Sequence, residues 1–582
     1  MIFLLIILIL YGDEKTMINF YDFEVYPKLW CVTIINPYTK EENVIVNDKG
    51  KLEKYYNAHK KEIWCGYNSR NYDSWILKGI LCGFDPYDIS KFIISGGKGF
   101  EYSSLLKKYT LYDYDTMDKF NSLKTLEAFM GNDIRETEIS FDYDGEFTPE
   151  MIEQVLRYNL HDVEQTIEVF MRKKADFQAH IDLIKNFNLP MSYISKTQAQ
   201  LSAIILDCKR QSHDDEWDIQ FVPTLKIERY RHVLDWFKDY SNYDYKKSLK
   251  VDVCGIPHIF GWGGIHGCQP EPIHRKGCII HVDVTSYYPS IMIEYGFLTR
   301  NCKEPNKFKQ IYDKRVQLKK EGKKKEQAPY KIILNSTYGI CKDPHSLAYD
   351  PRQANNVCVN GQLMLLDLLE HLEGHCEILQ SNTDGLIIQI EDTDEAFNTV
   401  DDICYEWEQR THMSLGFDII DEIWQGDVNN YVFHFQDKNE YERKGAYVKE
   451  LSDLDNDLPI VNTAIVEFMT KGVPVEDTVC GCNDLSQFQK IVKISSKYLN
   501  GVHNGQTLTD KTFRVFASKD TSDTSIYKVK AGKNPEKFAN TPINCFIANG
   551  KIAGEEVPEK LDRNWYIDIA KKRLKEKFNI ES

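Results

Sequence analysis

Lys331-Ile332-Ile333-Leu334-Asn335-Ser336-Thr337-Tyr338-Gly339 sets a cation, an amide and a phenol at positions i, i+4 and i+7. That spacing predicts a helix with the three polar groups on one face, ending at the glycine, so that one face can meet one ligand. Working outward, Asn306 to Gly339 reads as a helix-turn-helix stretch, broken by Gly322 and by Pro329 near the start of its second helix. Arg315 and Lys319 lie one turn apart on the first of these helices. Upstream, His281-Val-Asp283-Val-Thr-Ser286-Tyr287-Tyr288-Pro289-Ser290 closes a strand and turns sharply at the proline, leaving Asp283 at the strand end. Downstream, Ser381-Asn382-Thr383-Asp384-Gly385 stands between apolar runs and reads as a hairpin turn carrying one acid, Asp384. Two acids and a cationic helix face are the parts that phosphoryl transfer uses, carboxylates to hold divalent cations and cations to meet phosphate.

A second set of acids lies near the N-terminus. Asp22-Phe23-Glu24 falls on a predicted strand, where residues two apart share a face. Asn68-Ser-Arg-Asn-Tyr72-Asp73 follows another strand, Ile63 to Gly66, and Tyr158-Asn-Leu-His-Asp162 lies in a predicted helix, Pro149 to Arg172, where Tyr158 stacks over Asp162. Four acids that converge can hold a pair of hard divalent cations for phosphodiester hydrolysis, with Tyr158 orienting the attacking water. Most Asp-x-Glu pairs are solvated surface; the ordered set carries the signal. His161 reads as a packing or surface residue.

The chain has 582 residues, which exceeds one hydrophobic core and predicts about four domains. Hydrophobic residues at 42% and charged ones at 27% exclude a disordered or fibrous chain. The formal net charge of -16 argues weakly against a nucleic-acid partner. Lys314-Arg315, Lys319-Lys320, Lys323-Lys324-Lys325 and Lys571-Lys572-Arg573 nonetheless provide local basic surface. The 15 cysteines, odd in number and without a Cys-x-x-Cys pair, fit a reducing cytosol better than a disulfide framework or a zinc site. Ile2 to Leu10 is apolar but too short to span a bilayer and has no basic residue before it, so residues 1–16 read as an oddity of the start site, with Met17 opening the first strand. No membrane partner is expected.

In their order along the chain these motifs resemble those of the family B DNA polymerases that carry a proofreading exonuclease. Asp22 to Glu24, Asn68 to Asp73 and Tyr158 to Asp162 look like the three exonuclease motifs of an RNase H-like nuclease, in the subclass with tyrosine before the last aspartate; Val25 stands where phage relatives usually have Thr. Asp283 to Ser290 looks like the first palm motif, with Tyr287 in place of Leu, and Lys331 to Gly339 matches the fingers motif in full. Ser381 to Gly385 is similar to the third palm motif, Tyr-x-Asp-Thr-Asp-Ser, with Gln380, Asn382 and Gly385 at the Tyr, first Asp and Ser positions. Phe260-Gly-Trp262-Gly263-Gly264 and Lys444-Gly-Ala-Tyr447 resemble two DNA-contacting elements, and Ser122-Leu-Lys124-Thr-Leu126 suggests a phosphate contact at Lys124.

The resemblance implies an α/β and α+β multidomain fold, an RNase H-like exonuclease joined to a right-hand polymerase of palm, fingers and thumb. The expected divisions are 17–173 exonuclease, 174–250 helical connector, 251–300 palm, 301–340 fingers, 341–450 palm again and 451–582 thumb and C-terminal region. It implies catalytic and metal roles for Asp22, Glu24, Asp73, Asp162, Asp283 and Asp384, each site taking two Mg2+ ions with Mn2+ as the alternative, and a water-orienting role for Tyr158. Tyr288, Lys331, Asn335, Tyr338, Arg315 and Lys319 would bind the nucleotide; Asn68, Tyr72, Gly263, Gly264, Lys444 and Tyr447 would touch DNA. Expected partners are primer-template DNA, deoxynucleoside triphosphates, and a helicase or single-strand-binding protein, in the cytoplasm of a bacterial host for a phage-encoded enzyme. Two other readings stay open: a nuclease with a vestigial polymerase half, and a DNA-binding replication accessory that keeps the fold.

Overall fold

Ile18-Asn-Phe-Tyr-Asp-Phe-Glu-Val25 forms strand β1, as its aromatic and β-branched residues favour. Almost every side chain is buried on both faces, and Asp22 alone keeps partial exposure. The reason is position: β1 is the central strand of a five-stranded sheet, order β3-β2-β1-β4-β5, with β2 Trp30–Asn36, β3 Glu41–Val46, β4 Ile63–Gly66 and β5 Tyr112–Asp115. The first three strands pair antiparallel, whereas β4 and β5 run parallel to β1. The structure, a computed structural model, describes residues 17–117 and 121–582, so the apolar run Ile2 to Leu10 lies outside the described residues.

Around this sheet come α1 Lys49–His59, α2 Asp73–Cys82, α3 Pro86–Ile94, α4 Gly99–Tyr102, α5 Leu123–Phe129, α6 Pro149–Arg172 and α7 Lys174–Asn186. Helix α6 packs on β1 and β2. It begins where the sequence indicates, because Thr148 accepts a hydrogen bond from the Met151 amide and Pro149 occupies the first turn.

By contacts the chain forms two compact units. One takes Met1–Thr197, Leu451–Pro459 and Cys482–Trp565, and the other takes Gln198–Glu450, Ile460–Gly481 and Tyr566–Ser582. Residues 451–582, which the motif order sets after the second palm segment, are thus shared between them.

The second unit is built on a nine-stranded sheet, order β14-β13-β12-β9-β11-β10-β8-β7-β6, antiparallel throughout. Its strands are β6 Ser248–Val253, β7 Ile256–Gly261, β8 His266–Cys268, β9 Ile273–Val284, β10 Glu377–Asn382, β11 Gly385–Gln389, β12 Leu415–Asp427, β13 Asn430–Phe435 and β14 Glu440–Lys444. Its helices are α8 Gln198–Ile205, α9 Arg231–Lys238, α10 Tyr287–Glu294, α11 Pro305–Lys320, α12 Lys324–Lys342, α13 Pro351–Leu372, α14 Asp394–Thr411, α15 Pro459–Lys471 and α16 Val475–Gly481. Helix α17, Arg563–Phe578, ends the chain. No helix among the described residues is long and apolar enough to cross a membrane.

Two expectations about α12 need correction. The helix does not end at Gly339 but runs on to Lys342, because Gly339 is not in the left-handed conformation of a helix-ending glycine. The last turn is held instead by Lys342, whose ammonium donates to the Trp262 carbonyl at 2.7 Å. Nor does Pro329 break the stretch; it sits inside α12, and the break between helices is the turn at Gly322, φ 71°.

Returning to the first unit, its C-terminal part contributes β15 Lys490–Lys493, β16 Asn500–His503, β17 Gln506–Leu508, β18 Thr512–Ala517, β19 Tyr527–Val529, β20 Glu536–Lys537 and β21 Cys545–Ile547, in sheets β15-β18-β21 and β17-β16-β19-β20. From β18, the wholly buried Arg514 donates to the carbonyls of Ala128 and Asn132, both at 2.9 Å, and of Glu127 at 3.4 Å. Its remaining donors reach the Ala548 and Gly550 carbonyls and Gln489 Oε1. The guanidinium thus neutralises the negative end of α5. Burial pushes its pKa down to about 10.

Arg514→Met leaves these carbonyls buried without a donor. It should cost at least about 3 kcal/mol, the order seen on breaking a buried charged network, read as a shifted midpoint in denaturant unfolding followed by circular dichroism. Arg514→Lys should not restore the midpoint, since an ammonium cannot span the same fork.

Candidate active sites

Strand β1 and helix α6 build the first acid cluster. Carboxylate oxygens of Asp22, Glu24 and Asp162 lie within 4.8 Å of one another. Asn159, one turn before Asp162, donates from Nδ2 to Asp22 Oδ2 at 2.8 Å and to the Asp22 carbonyl at 3.0 Å, locking that carboxylate in place. Asp73 stands beside the trio without joining it. Its Oδ1 accepts the Phe23 amide at 3.0 Å, and its charge acts on both Asp22 and Glu24.

Burial, then mutual repulsion, raises the carboxyl groups of Asp22 and Glu24 well above the ordinary range. Asp73 is pushed up to about 8, burial being the main cause and the Phe23 amide opposing it. Tyr158 is raised by burial and by Asp162 beside it. Lys124, expected to contact phosphate, is engaged with carboxylates: its ammonium pairs with Asp162 and with Glu127 Oε1 at 3.0 Å, 4.6 Å from the centre of the Tyr158 ring.

Asn68, in the left-handed region at φ 61°, donates its amide to Asp115 Oδ1 at 2.8 Å. Ser69 Oγ donates to Asp113 Oδ1 at 2.9 Å, so two acids of β5 hold the loop that delivers Asp73. Beside Glu24 opens a cleft of about 940 Å³, mostly apolar, lined by Phe23, Tyr72, Tyr87, Phe92, Tyr102 and Phe141 among others. Tyr72 is fixed there by a 2.7 Å hydrogen bond to Ser90 Oγ.

In the second unit, the acid of β9 and the acid of the β10–β11 turn meet. Asp283 pairs with Gly385 on β11 and with Gly416 on β12, so neither neighbouring strand places a side chain beside it. Gly385 is sterically required: a Cβ there would lie 2.8 Å from the Val282 carbonyl oxygen. Asn382 and Gly385 close a two-residue turn in which Thr383 takes φ 37°, a strained conformation for threonine. Burial first, then the charges of Asp384 and Asp418, push Asp283 up to about 6. Burial also raises Asp384, while Lys444 and His281 oppose it. The Asn382 amide oxygen is turned to His266 Nδ1 at 3.0 Å.

A cavity of about 460 Å³ is lined by Asp283, Asp384, Ser286, Tyr288, Arg315, Lys331, Asn335 and Tyr338, with their neighbours. Arg315 Nη1 donates to Ser286 Oγ at 2.6 Å, and its buried Nε has no partner among the described residues. The Tyr288 and Tyr338 rings lie 4.7 Å apart. Tyr287 also lines the cavity, and its hydroxyl donates to the Gly361 carbonyl at 2.7 Å.

Lys319, Lys444, Tyr447, Gly263 and Gly264 do not line the cavity. Lys319 and Lys444 act on its acids through their charge. Gly264 packs toward the Thr383 hydroxyl, while Tyr447 lies under the Arg573 guanidinium at 4.6 Å. Sequence reasoning missed Glu127, Asn159, Asp113, Asp115 and Asp418. Two carried a local signal: Glu127 is one turn from Lys124, and Asn159 one turn from Asp162.

No protein-family model matches the chain, and no curated protein matches it. Among solved structures, the family B DNA polymerase from the hyperthermophilic archaeon Pyrobaculum calidifontis is similar over 98% of this chain and 79% of that one, with a TM-score of 0.43 and 14% sequence identity. A likeness of that size leaves the functional reading to the two acid clusters themselves.

The raised carboxyls tie stability to pH. Each keeps its proton in the fold to a higher pH than in the unfolded chain, where it ionises near its ordinary pKa of about 4. The stability they contribute is therefore full at low pH and lost as pH rises, for Asp73 through about 8 and for Asp283 through about 6. In a chelator, Asp73→Asn should melt above the parent at pH 8.5, and the gap should shrink toward pH 4.5. A gap independent of pH would mean that the Asp73 charge is not what the fold works against.

Proposed function

We propose that the chain is a DNA-directed DNA polymerase of the family B type with a 3′-to-5′ proofreading exonuclease. The observation that carries this reading is the cavity in which two strand-borne acids, Asp283 and Asp384, share a lining with Lys331, Asn335 and Tyr338 from one helix face. A carboxylate pair beside a cationic helix face suits a metal-bound nucleoside triphosphate. The five-stranded sheet with Asp22 and Glu24 on its central strand supports an RNase H-like nuclease in the other unit.

Divalent cations fit both sets of residues, since each gathers buried, mutually repelling carboxylates with few neutralising cations. Asp283 and Asp384 would hold Mg2+ or Mn2+ in one site, and Asp22, Glu24 and Asp162, with Asp73 nearby, in the other. Bound there, two ions per site would neutralise phosphate charge and acidify the attacking hydroxyl or water.

The remaining roles belong to the chain's own side chains. Lys331 and Arg315 meet the triphosphate, the unpartnered Arg315 Nε giving a donor ready for it. Tyr288 lies beneath the deoxyribose and excludes a 2′-hydroxyl, while Asn335 and Tyr338 border the new base pair. Lys319, one turn from Arg315, assists nucleotide binding through its charge, and Lys444, Tyr447, Gly263 and Gly264 contact template and primer outside the cavity. Tyr158 orients water at the exonuclease centre, and the aromatic cleft beside Glu24, with Asn68 and Tyr72, takes the frayed 3′ end by stacking. The domain assignments follow: exonuclease 17–173, connector 174–250, palm 251–300 and 341–450, fingers 301–340, and the thumb within 451–582.

One observation favours a second reading, a nuclease with an idle polymerase half: Asn382 replaces an acid. Its amide is engaged with His266, however, and a coordinating role is not required of it. Ser290 and Lys331 are separated by little more than α11, and Gly339 and Asn382 by little more than α13. Neither interval holds an inserted subdomain of the kind that protein-primed phage relatives carry. Extension of a nucleic-acid primer in a phage or similar replicon, with a helicase or single-strand-binding protein assisting strand displacement, is the form of the proposal.

Primer extension with Mg2+ and four deoxynucleotides tests it. Asp283→Ala or Asp384→Ala should reduce synthesis by at least about 10³-fold, and Asn382→Ala much less, since an amide is a poor ligand for Mg2+. Equal losses at Asn382 and Asp384 would reassign the ligand in this turn. Asp22→Ala with Glu24→Ala should abolish single-strand degradation and spare synthesis; joint loss at unchanged folding would refute two separate sites. Intact degradation without extension would select the nuclease reading.

A further inference from the structure

Beside the Asp22, Glu24 and Asp162 trio, a second group of donors converges. Glu127 from α5 and His161 and Asp162 from α6 each present a ligand atom, all within 4.8 Å of one another. Glu127 is wholly buried, His161 is 6% exposed and Asp162 7%. His161 Nε2 points into this group, 3.6 Å from Glu127 Oε1, yet has no hydrogen-bond partner among the described residues. A buried ring nitrogen left unpaired costs stability unless something occupies it.

We infer that Glu127, His161 and Asp162 form a cation site of their own, whose mixed imidazole and carboxylate donors select a first-row transition-metal ion such as Mn2+ over Mg2+. Two carboxylates and one neutral imidazole around a dication leave no net charge in a buried place. Three protein donors also leave positions open for water. Asp162 has an oxygen for each group, so it can bridge this site to the neighbouring trio, as carboxylates do in two-metal centres.

The scaffold holds this arrangement in place. Arg514 binds the carbonyls of Glu127 and Ala128, fixing the α5 backbone from which the Glu127 side chain projects. Lys124 supplies the counter-charge when no ion is bound, pairing with both Glu127 and Asp162. A dication displaces that single ammonium, which can rest against the Tyr158 ring it already faces at 4.6 Å. The inference does not depend on nuclease activity; it concerns binding through Glu127 and His161, to which the exonuclease resemblance gives no ligand role, with Asp162 shared between the two groups.

The experiment loads the full chain with Mn2+ and records electron-spin-echo modulation, which detects nitrogen bound to the ion. Modulation from a ligated imidazole is expected. It should vanish in His161→Gln, which still binds Mn2+ through Asp22 and Glu24, and persist in Asp22→Asn. Absence of nitrogen modulation in the parent chain, or its survival in His161→Gln, overturns the site. If His161→Gln does not fold, Lys124→Met decides: without the internal competitor, Mn2+ should bind about tenfold more tightly, the order of effect of one nearby charge, and unchanged affinity overturns the proposal. Strand degradation is measured separately, so an inactive nuclease that keeps the nitrogen signal leaves this site standing.

Discussion

Carboxylates placed on interior strands of a sheet lose water to the strands and layers around them, and both units of this protein are organised around that penalty. Asp22 and Glu24 occupy the middle strand of one sheet, and Asp283 the end of β9, an interior strand of the other. In each case burial is the first cause of a raised carboxyl pKa, with neighbouring acids adding to it. The two units relieve the repulsion differently. The first encloses its acids and admits one ammonium, that of Lys124. The second opens a cavity and lets Lys319 and Lys444 act from outside its lining. Cation binding and stability are therefore coupled, because an ion that joins only the folded chain removes a repulsion that exists only there.

Polar groups inside the protein carry much of the positioning. Arg514 gathers carbonyls from the end of α5 and from the 548–550 segment, so the helix bearing Lys124 and Glu127 is held by a strand nearly four hundred residues later. In the second unit α13 does comparable work. Asn356 and Asn360 accept the amides of Gln220 and Val222 at 2.9 Å, and Glu370 accepts those of Glu228 and Arg229, so an irregular segment is fixed without strand or helix. Asp367, fully buried, is balanced by the Arg410 fork. Such groups satisfy backbone that regular structure leaves unpaired.

Elements whose signals are local were legible. Helix α6 has the expected bounds, Pro149 to Arg172, and strand β4 has the expected ends, Ile63 and Gly66. Helix α12 was legible in the face that lines the cavity but not in its end, since Lys342 extends it through contacts with Trp262 and the Tyr245 and Tyr338 rings. Gly385, which departs from the pattern the chain resembles, acquires its reason only from the Val282 carbonyl packed against it.

By itself the sequence determined which residues could share a face: Asp22 with Glu24, Tyr158 with Asp162, and Lys331 with Asn335 and Tyr338, because strand and helix periods act within a few residues. Only the tertiary structure decided which faces meet. It set Asp73 on the Phe23 amide and outside the carboxylate trio, drew Lys124 into the acids, turned Asn382 to His266, and brought Glu127 to His161. Those outcomes depend on sheet order and on donors from distant segments, and no local spacing encodes the distance between two strands that pair only when the whole sheet closes.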